Sequence, residues 1–152
     1  MRYPHFLACN GNIGFVAPSF GCATEPYITG FKKAQERFKN LGYGIVNGPN
    51  VYEANGIGIS NTPELCGQEL TDMYTSDKSD GGELMCEILG YVDWDKIVKA
   101  EPKWFMGYSD NTNFTFLLNT IADTASVYGP CAAAFGVDKL HNSQLDAIGV
   151  LT

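Results

Sequence analysis

Basic residues are scarce in this chain of 152 residues. Lys and Arg together number 10 against 17 Asp and Glu, which gives a net charge of −7. Because proteins that bind phosphate backbones rely on basic side chains, this balance argues against nucleic acid as a partner. No run approaches the roughly 20 apolar residues of a membrane helix, and the N-terminal apolar patch at 6–9 is too short for a signal peptide. We therefore expect a cytoplasmic chain that has no contact with a membrane.

Paired cysteines are also missing. The five cysteines are an odd number, they are widely spaced, and no C-x-x-C pair occurs among them. This disfavours a zinc ribbon or a dithiol redox motif. We expect reduced thiols that mostly pack as small hydrophobic side chains. The five are Cys9, Cys22, Cys66, Cys86 and Cys131.

Short apolar runs alternate with segments of helical periodicity along the whole chain. Hydrophobic residues make up 45% of it, enough for one domain over residues 1–152. The pattern predicts strands at 13–17, 44–47, 103–107 and 125–128, and helices near 26–41, 63–74, 83–89, 94–100, 111–122 and 143–151. Strands separated by helices indicate an α/β fold with a mostly parallel sheet flanked by helices.

Ligands in such folds bind beyond the carboxyl ends of the strands. Three loops at that edge carry small or hydroxyl-bearing residues, at 18–22, 81–84 and 108–112. In the third, Gly107-Tyr108-Ser109-Asp110 follows an apolar strand and opens a helix. This context resembles a nucleophile elbow, which presents a serine hydroxyl above the sheet. The first helical N–H groups, that of Asp110 among them, are the donors that an oxyanion requires.

A second reading of the same residues is helix capping. Ser109 to Thr112 contains Ser, Asp, Asn and Thr, the preferred capping residues. The segment also lacks the final glycine of G-x-S-x-G. A nucleophilic serine needs a neighbouring base, and the only histidines are His5, at the wrong end of the first strand, and His141, in the tail. We expect both to be surface residues.

Four motifs then resemble one family in their order along the chain. They are Ile13-Gly14-Phe15-Val16-Ala17-Pro18-Ser19, Gly81-Gly82 followed by Leu89-Gly90-Tyr91-Val92-Asp93, the segment from Pro102 to Thr112, and Tyr128-Gly129-Pro130. Together they resemble the LD-carboxypeptidases, serine peptidases that include muramoyl-tetrapeptide carboxypeptidases and the microcin C self-immunity hydrolases. The stretch Gly81-Gly82-Glu83-Leu84-Met85 is more similar to the microcin-immunity branch.

The resemblance implies a flavodoxin-like domain, similar to class I glutamine amidotransferases, and hydrolysis of an amide bond near a C-terminus. Substrates would be murein peptides or peptidyl-nucleotides, with no metal or organic cofactor, in a homodimer. Ser109 matches the nucleophile, and the N–H groups of Asp110, Gly81 and Gly82 match the oxyanion hole. Ser19 and Glu83 are expected to contact substrate.

The chain departs from the family in two ways. The family takes the Glu and His of its Ser-His-Glu triad from a C-terminal domain, so neither can be assigned within residues 1–152, and we expect the chain alone to be inactive. A non-catalytic binding module, or a fragment completed by a partner chain or a swapped dimer, stays open. The family also has a buried strand before the Gly-Gly turn, whereas Tyr74 to Glu83 is polar here. We therefore expect a deletion or an artificial join at Asp80–Gly81.

Overall fold

The computed structural model describes residues 1–77 and 86–152, and it is an α/β arrangement. The strands are β1 (Asn12–Phe15), β2 (Gly44–Asn47), β3 (Met106–Gly107) and β4 (Val127–Tyr128). The α-helices are α1 (Tyr27–Asn40), α2 (Pro63–Thr75), α3 (Trp94–Lys99), α4 (Thr112–Thr120) and α5 (Asn142–Leu151). Short 3-10 helices cover Cys86–Tyr91, Ser109–Asn111 and Ala132–Gly136.

The strands pair in parallel, as the alternating pattern predicts. β1 pairs with β2 over four residues, and β3 pairs with β4 over two. Each pair is joined through a helix, α1 in the first and α4 in the second, because parallel neighbours require a crossover connection. In the described residues the pairs form two separate sheets of two strands each. The expected join at Asp80–Gly81 lies outside the described residues.

Helices cover both faces of the strands. The consecutive residues Phe15 and Val16 belong to different buried clusters, as expected for a strand whose side chains alternate between faces. One cluster packs residues of α2, α3 and α4 against the strands: Val16, Leu70, Ile97, Phe105, Phe114 and Leu118. The other packs α1 and α5 against them: Phe15, Phe31, Ala34, Phe38, Phe135 and Ala147. The predicted α/β class with helices on both faces is thus confirmed.

Local sequence signals set the helix ends. Phe31, Ala34 and Phe38 of α1 are buried at the predicted three- and four-residue spacing. Gly42 ends this helix at φ +94°, with its N–H donated to the Lys39 carbonyl. Thr62 caps α2 by accepting the Leu65 N–H. Asp93 accepts the Lys96 N–H at 3.0 Å at the start of α3.

Three predicted strands are too long, and one predicted helix differs. The helix expected at 83–89 is a 3-10 helix over Cys86–Tyr91, and its residues 83–85 lie outside the described part. Strand β1 stops at Phe15 because Ala17 uses its N–H and carbonyl on side chains. The Lys103 N–H donates to the Tyr74 hydroxyl, and the Ala125 N–H donates to the Arg2 carbonyl. Lys103 is therefore outside the β3–β4 pairing, and Ala125 pairs instead with Arg2, next to the isolated parallel bridge between Arg2 and Thr124.

All five cysteines lie in the described part, and all are free thiols. Cys66 is fully buried, and burial raises the pKa of its thiol. Cys22 and Cys131 are partly buried, whereas Cys9 and Cys86 are exposed and do not pack as small hydrophobic side chains. Within the described ranges, no helix is long and apolar enough to cross a bilayer.

Candidate functional site

Ser109 occupies a sharp turn between β3 and α4. The strand ends at Gly107, Tyr108 is extended, and Ser109 has φ +59°. A non-glycine residue in this left-handed region carries backbone strain of about 1–3 kcal/mol, and such strain is frequent at functional sites. A 3-10 turn over Ser109–Asn111 then leads directly into α4. The backbone therefore has the strand–turn–helix form of a nucleophile elbow.

Close packing beneath the turn explains the glycine at its start. Asn111 is 3% exposed, and its side chain lies against Gly107, where a Cβ would be 2.6 Å from the Asn111 Cβ. Asn111 also donates its backbone N–H and its Nδ2 to the Tyr108 carbonyl, at 3.2 and 3.1 Å. The packing and these two hydrogen bonds stabilise the turn conformation.

The Ser109 hydroxyl lies on the outer side of this turn. Ser109 is exposed, and its side chain makes no hydrogen bond to another described residue. Neither the 3-10 turn at Ser109–Asn111 nor α4 has a side-chain hydrogen bond that caps its N-terminus. Of the two roles considered for Ser109, nucleophile and helix cap, the structure therefore does not support the cap. The Asp110 N–H belongs to the first turn, where helical N–H groups have no intrahelical acceptor. It is available to an anion beside Ser109.

Two of the predicted oxyanion residues and one substrate residue cannot be placed. Gly81, Gly82 and Glu83 lie outside the described residues. Among the described residues, the arrangement therefore consists of a strained, exposed serine and one backbone donor.

Neither histidine makes a hydrogen bond to Ser109 among the described residues. His5 is exposed, precedes β1 and lines the same apolar cavity as Tyr108. His141 caps α5, where its Nδ1 accepts the Ser143 N–H at 3.2 Å and Gln144 completes a capping box. Both histidines are exposed, as expected.

Ser19 reaches the turn from the loop after β1. It is 8% exposed, and its hydroxyl donates to Oδ2 of Asp110 at 3.1 Å. The two loops therefore leave the strands at the same edge, as expected for ligand-binding loops of an α/β fold. The sequence placed Ser19 in this region, but it did not indicate Asp110 as its partner.

A buried carboxylate that the sequence did not single out lies behind Ser19. Glu69, on α2, is 4% exposed and accepts the N–H groups of Ala17 at 3.1 Å and Asn50 at 2.7 Å. Burial raises the pKa of Glu69, partly opposed by these two hydrogen bonds. Gly48 is required beside it, because a Cβ there would lie 2.2 Å from Glu69 Oε1. Glu69 thus ties together the loops after β1 and β2.

An apolar cavity of about 890 Å³ adjoins the turn. Among the described residues, its walls include Phe15 and Ala17 on one side and Trp104, Met106 and Tyr108 on the other. Ser109 does not line it, although the preceding Tyr108 does. The Trp104 Nε1 is buried there without a hydrogen-bond partner in the described part of the chain. The cavity offers an apolar compartment next to the exposed serine.

Comparison with known proteins gives the family. The LD-carboxypeptidase N-terminal domain matches residues 13–129, more than half of the chain and including the whole turn. The chain belongs to the LD-carboxypeptidase family. A candidate carboxypeptidase of Vibrio cholerae is 30% identical over 97% of this chain and 47% of its own length. One from Treponema pallidum is 26% identical over 88% of this chain and 40% of its own length.

Solved structures show the same fold. The microcin C7 self immunity protein MccF, in complex with aspartyl sulfamoyl adenosine, superposes with a TM-score of 0.85 at 23% identity. The match covers 98% of this chain and 46% of MccF. Another MccF structure is an active-site variant in which a serine, an asparagine and a lysine are replaced by alanine. The chain spans about half the length of the relatives it matches.

Proposed function

We propose that this chain is the nucleophile-bearing half of a serine hydrolase that cleaves an amide bond near the C-terminus of its substrate. Ser109 is the nucleophile, and the Asp110 N–H, with those of Gly81 and Gly82, stabilises the oxyanion. The observation that carries the proposal is the exposed serine at φ +59° between a strand and a helix N-terminus. Membership of a peptidase family supports it.

The family and its solved structures support a substrate class. Murein peptides and peptidyl-nucleotides are the two candidates, and MccF structures contain aspartyl sulfamoyl adenosine and glutamyl sulfamoyl guanosine. The apolar cavity beside Tyr108 supports a substrate with an apolar portion next to the scissile bond. We place this activity in the cytoplasm and in a homodimer, as the family resemblance implies.

A second, C-terminal half supplies the Glu and His of the triad in this proposal. Neither His5 nor His141 contacts Ser109, which supports a base from outside this chain. Removing triad partners lowers kcat on the order of 10⁴- to 10⁶-fold. The 152-residue chain alone should therefore show negligible turnover of a murein tetrapeptide or a peptidyl-nucleotide, and adding a separately produced C-terminal half should restore it.

A fluorophosphonate reagent tests the nucleophile directly. We expect mass spectrometry to find the label on Ser109 once the C-terminal half is added, and no label on Ser109→Ala under the same conditions. Ser126→Ala is the matched control, because Ser126 is a partly buried serine bonded to Thr115 and Asn119, away from the turn. Absence of Ser109 labelling, both alone and with the C-terminal half, would favour a non-catalytic binding module. Turnover by the chain alone, abolished in Ser109→Ala, would contradict the need for a second half.

A further inference from the structure

We propose that Ser19 is a positioning residue for the nucleophile: it holds the Ser109 turn in its strained conformation through the side chain of Asp110. This inference rests on the proposed function of Ser109 but concerns a different residue. Ser19 and Asp110 are 91 positions apart in the chain and joined by a hydrogen bond of 3.1 Å.

The first step of the argument is that Ser19 sits on a firmly held loop. The Ala17 N–H donates to the buried Glu69 carboxylate at 3.1 Å. The Ala17 carbonyl accepts the Ser60 hydroxyl, and the Ser19 carbonyl accepts the Ser60 N–H. Ser60 is fully buried, so these bonds are shielded from water. The backbone on both sides of Pro18 is therefore fixed to the interior.

The second step is that Asp110 is otherwise exposed. Ser19 is the one hydrogen-bond donor that its carboxylate has among the described residues. A hydrogen bond to a charged group is stronger than one between neutral groups. The Ser19 hydroxyl therefore fixes the side chain of the residue whose N–H lies beside the nucleophile.

The third step is that the turn is strained and that Ser19 is one of its few long-range anchors among the described residues. Asn111 also donates its Nδ2 to the Cys131 Sγ at 3.6 Å. Other hydrogen bonds of the turn are local, such as those of Asn111 to the Tyr108 carbonyl and that of Asn113 to the Asp110 carbonyl at 2.8 Å. A strained residue persists only when its surroundings over-determine it. Ser19 connects this turn to the buried framework formed by Glu69 and Ser60.

The test measures two properties of the 152-residue chain. The first is the rate at which a fluorophosphonate labels Ser109 when the C-terminal half is added. The second is the rate of hydrogen exchange of the Asn111 and Thr112 amides. Ser19→Ala should slow labelling about tenfold and speed amide exchange about tenfold, as loss of one hydrogen bond to a charged group does. Ser19→Thr, which keeps the hydroxyl, should restore both to within about threefold of the wild type.

The control is Thr71→Val. Thr71 is buried like Ser19, and its hydroxyl donates to the Gly67 carbonyl and accepts the Asp93 N–H, away from the Ser109 turn. This variant should lower stability without changing exchange at Asn111. Asp110→Ala should match Ser19→Ala in amide exchange, and the double variant should add nothing further, because both changes remove one interaction.

Several outcomes would overturn the proposal. They are unchanged amide exchange in Ser19→Ala, equal effects of Ser19→Ala and Thr71→Val, or failure of Ser19→Thr to restore the wild-type exchange rate. Because exchange does not need a reactive serine, these results are separable from the proposed function. If wild-type Ser109 is never labelled but Ser19→Ala still loosens the turn, the proposed function fails and the positioning role remains.

Discussion

The turn after β1 and the turn after β3 meet at one edge of the molecule but are held in opposite ways. The first is anchored to the buried groups of Glu69 and Ser60. The second is exposed and has a residue at φ +59°, and its hydrogen bonds include local ones, the one from Ser19 to Asp110 and the one from Asn111 to Cys131. The two loops therefore differ in how they are held: buried contacts make the first rigid, and the second leaves a strained serine exposed.

The largest expected effect comes from removing the carboxylate of the rigid turn. Glu69→Ala leaves the buried N–H groups of Ala17 and Asn50 without an acceptor. At about 1–3 kcal/mol for each unsatisfied group, we expect the free energy of unfolding to fall by about 3 kcal/mol. Urea denaturation measures it, with the exposed Glu36→Ala as the control. A loss below about 1 kcal/mol would show that the first turn does not depend on Glu69.

A methyl group under the second turn should have the next largest effect. Gly107→Ala would place a Cβ 2.6 Å from the Asn111 Cβ. Overpacking of this kind costs about 1–3 kcal/mol, and the shift of Asn111 should also abolish phosphonylation of Ser109. The control is Gly90→Ala, where a Cβ meets nothing within 4 Å. Wild-type labelling in Gly107→Ala would contradict close packing beneath the elbow.

Glycine at the strained position should act in the opposite direction on stability. Ser109→Gly relieves the positive φ, although glycine loses more backbone entropy on folding. We expect a net gain of about 0.5–1 kcal/mol in the free energy of unfolding, together with complete loss of labelling. Thermal denaturation beside Ser109→Ala, which keeps the Cβ, measures the strain. Equal stability of the two variants would mean that the turn is not strained.

The smallest effect concerns pH. Burial raises the pKa of Glu69 above its ordinary value of 4.5, so the folded state holds this proton more tightly than the unfolded state does. The contribution of Glu69 is therefore fully present below pH 4.5 and is lost as pH rises through the folded pKa. Wild type should lose stability relative to Glu69→Gln over that window, measured by urea denaturation at a series of pH values. A constant difference between the two proteins would contradict the raised pKa.

Much of the fold follows from local sequence patterns. Helix α1 was predictable because Phe31, Ala34 and Phe38 recur at helical spacing, and the elbow was predictable because Gly107 and Ser109 flank a strand end. Strand lengths were overestimated because backbone groups of Ala17, Lys103 and Ala125 bond to partners remote in sequence. Periodicity carries no information about such partners.

The sequence did not predict the residues that support the site. Glu69 lies among polar residues of α2, where a glutamate is expected to face solvent. Its acceptor role depends on Ala17 and Asn50, 52 and 19 positions away. The pairing of Ser19 with Asp110 likewise appears only once the chain is folded.

The short pairing of β3 with β4 has a consequence for heat sensitivity. Two residues form this ladder, against four in β1 and β2, and Ser109 follows it directly. Segments held by fewer backbone bonds open at lower free energy than the rest of a domain. On warming, the Ser109 turn should thus lose its geometry while the aromatic interior around Phe31 and Phe38 is still intact, so the turn would open before the domain melts.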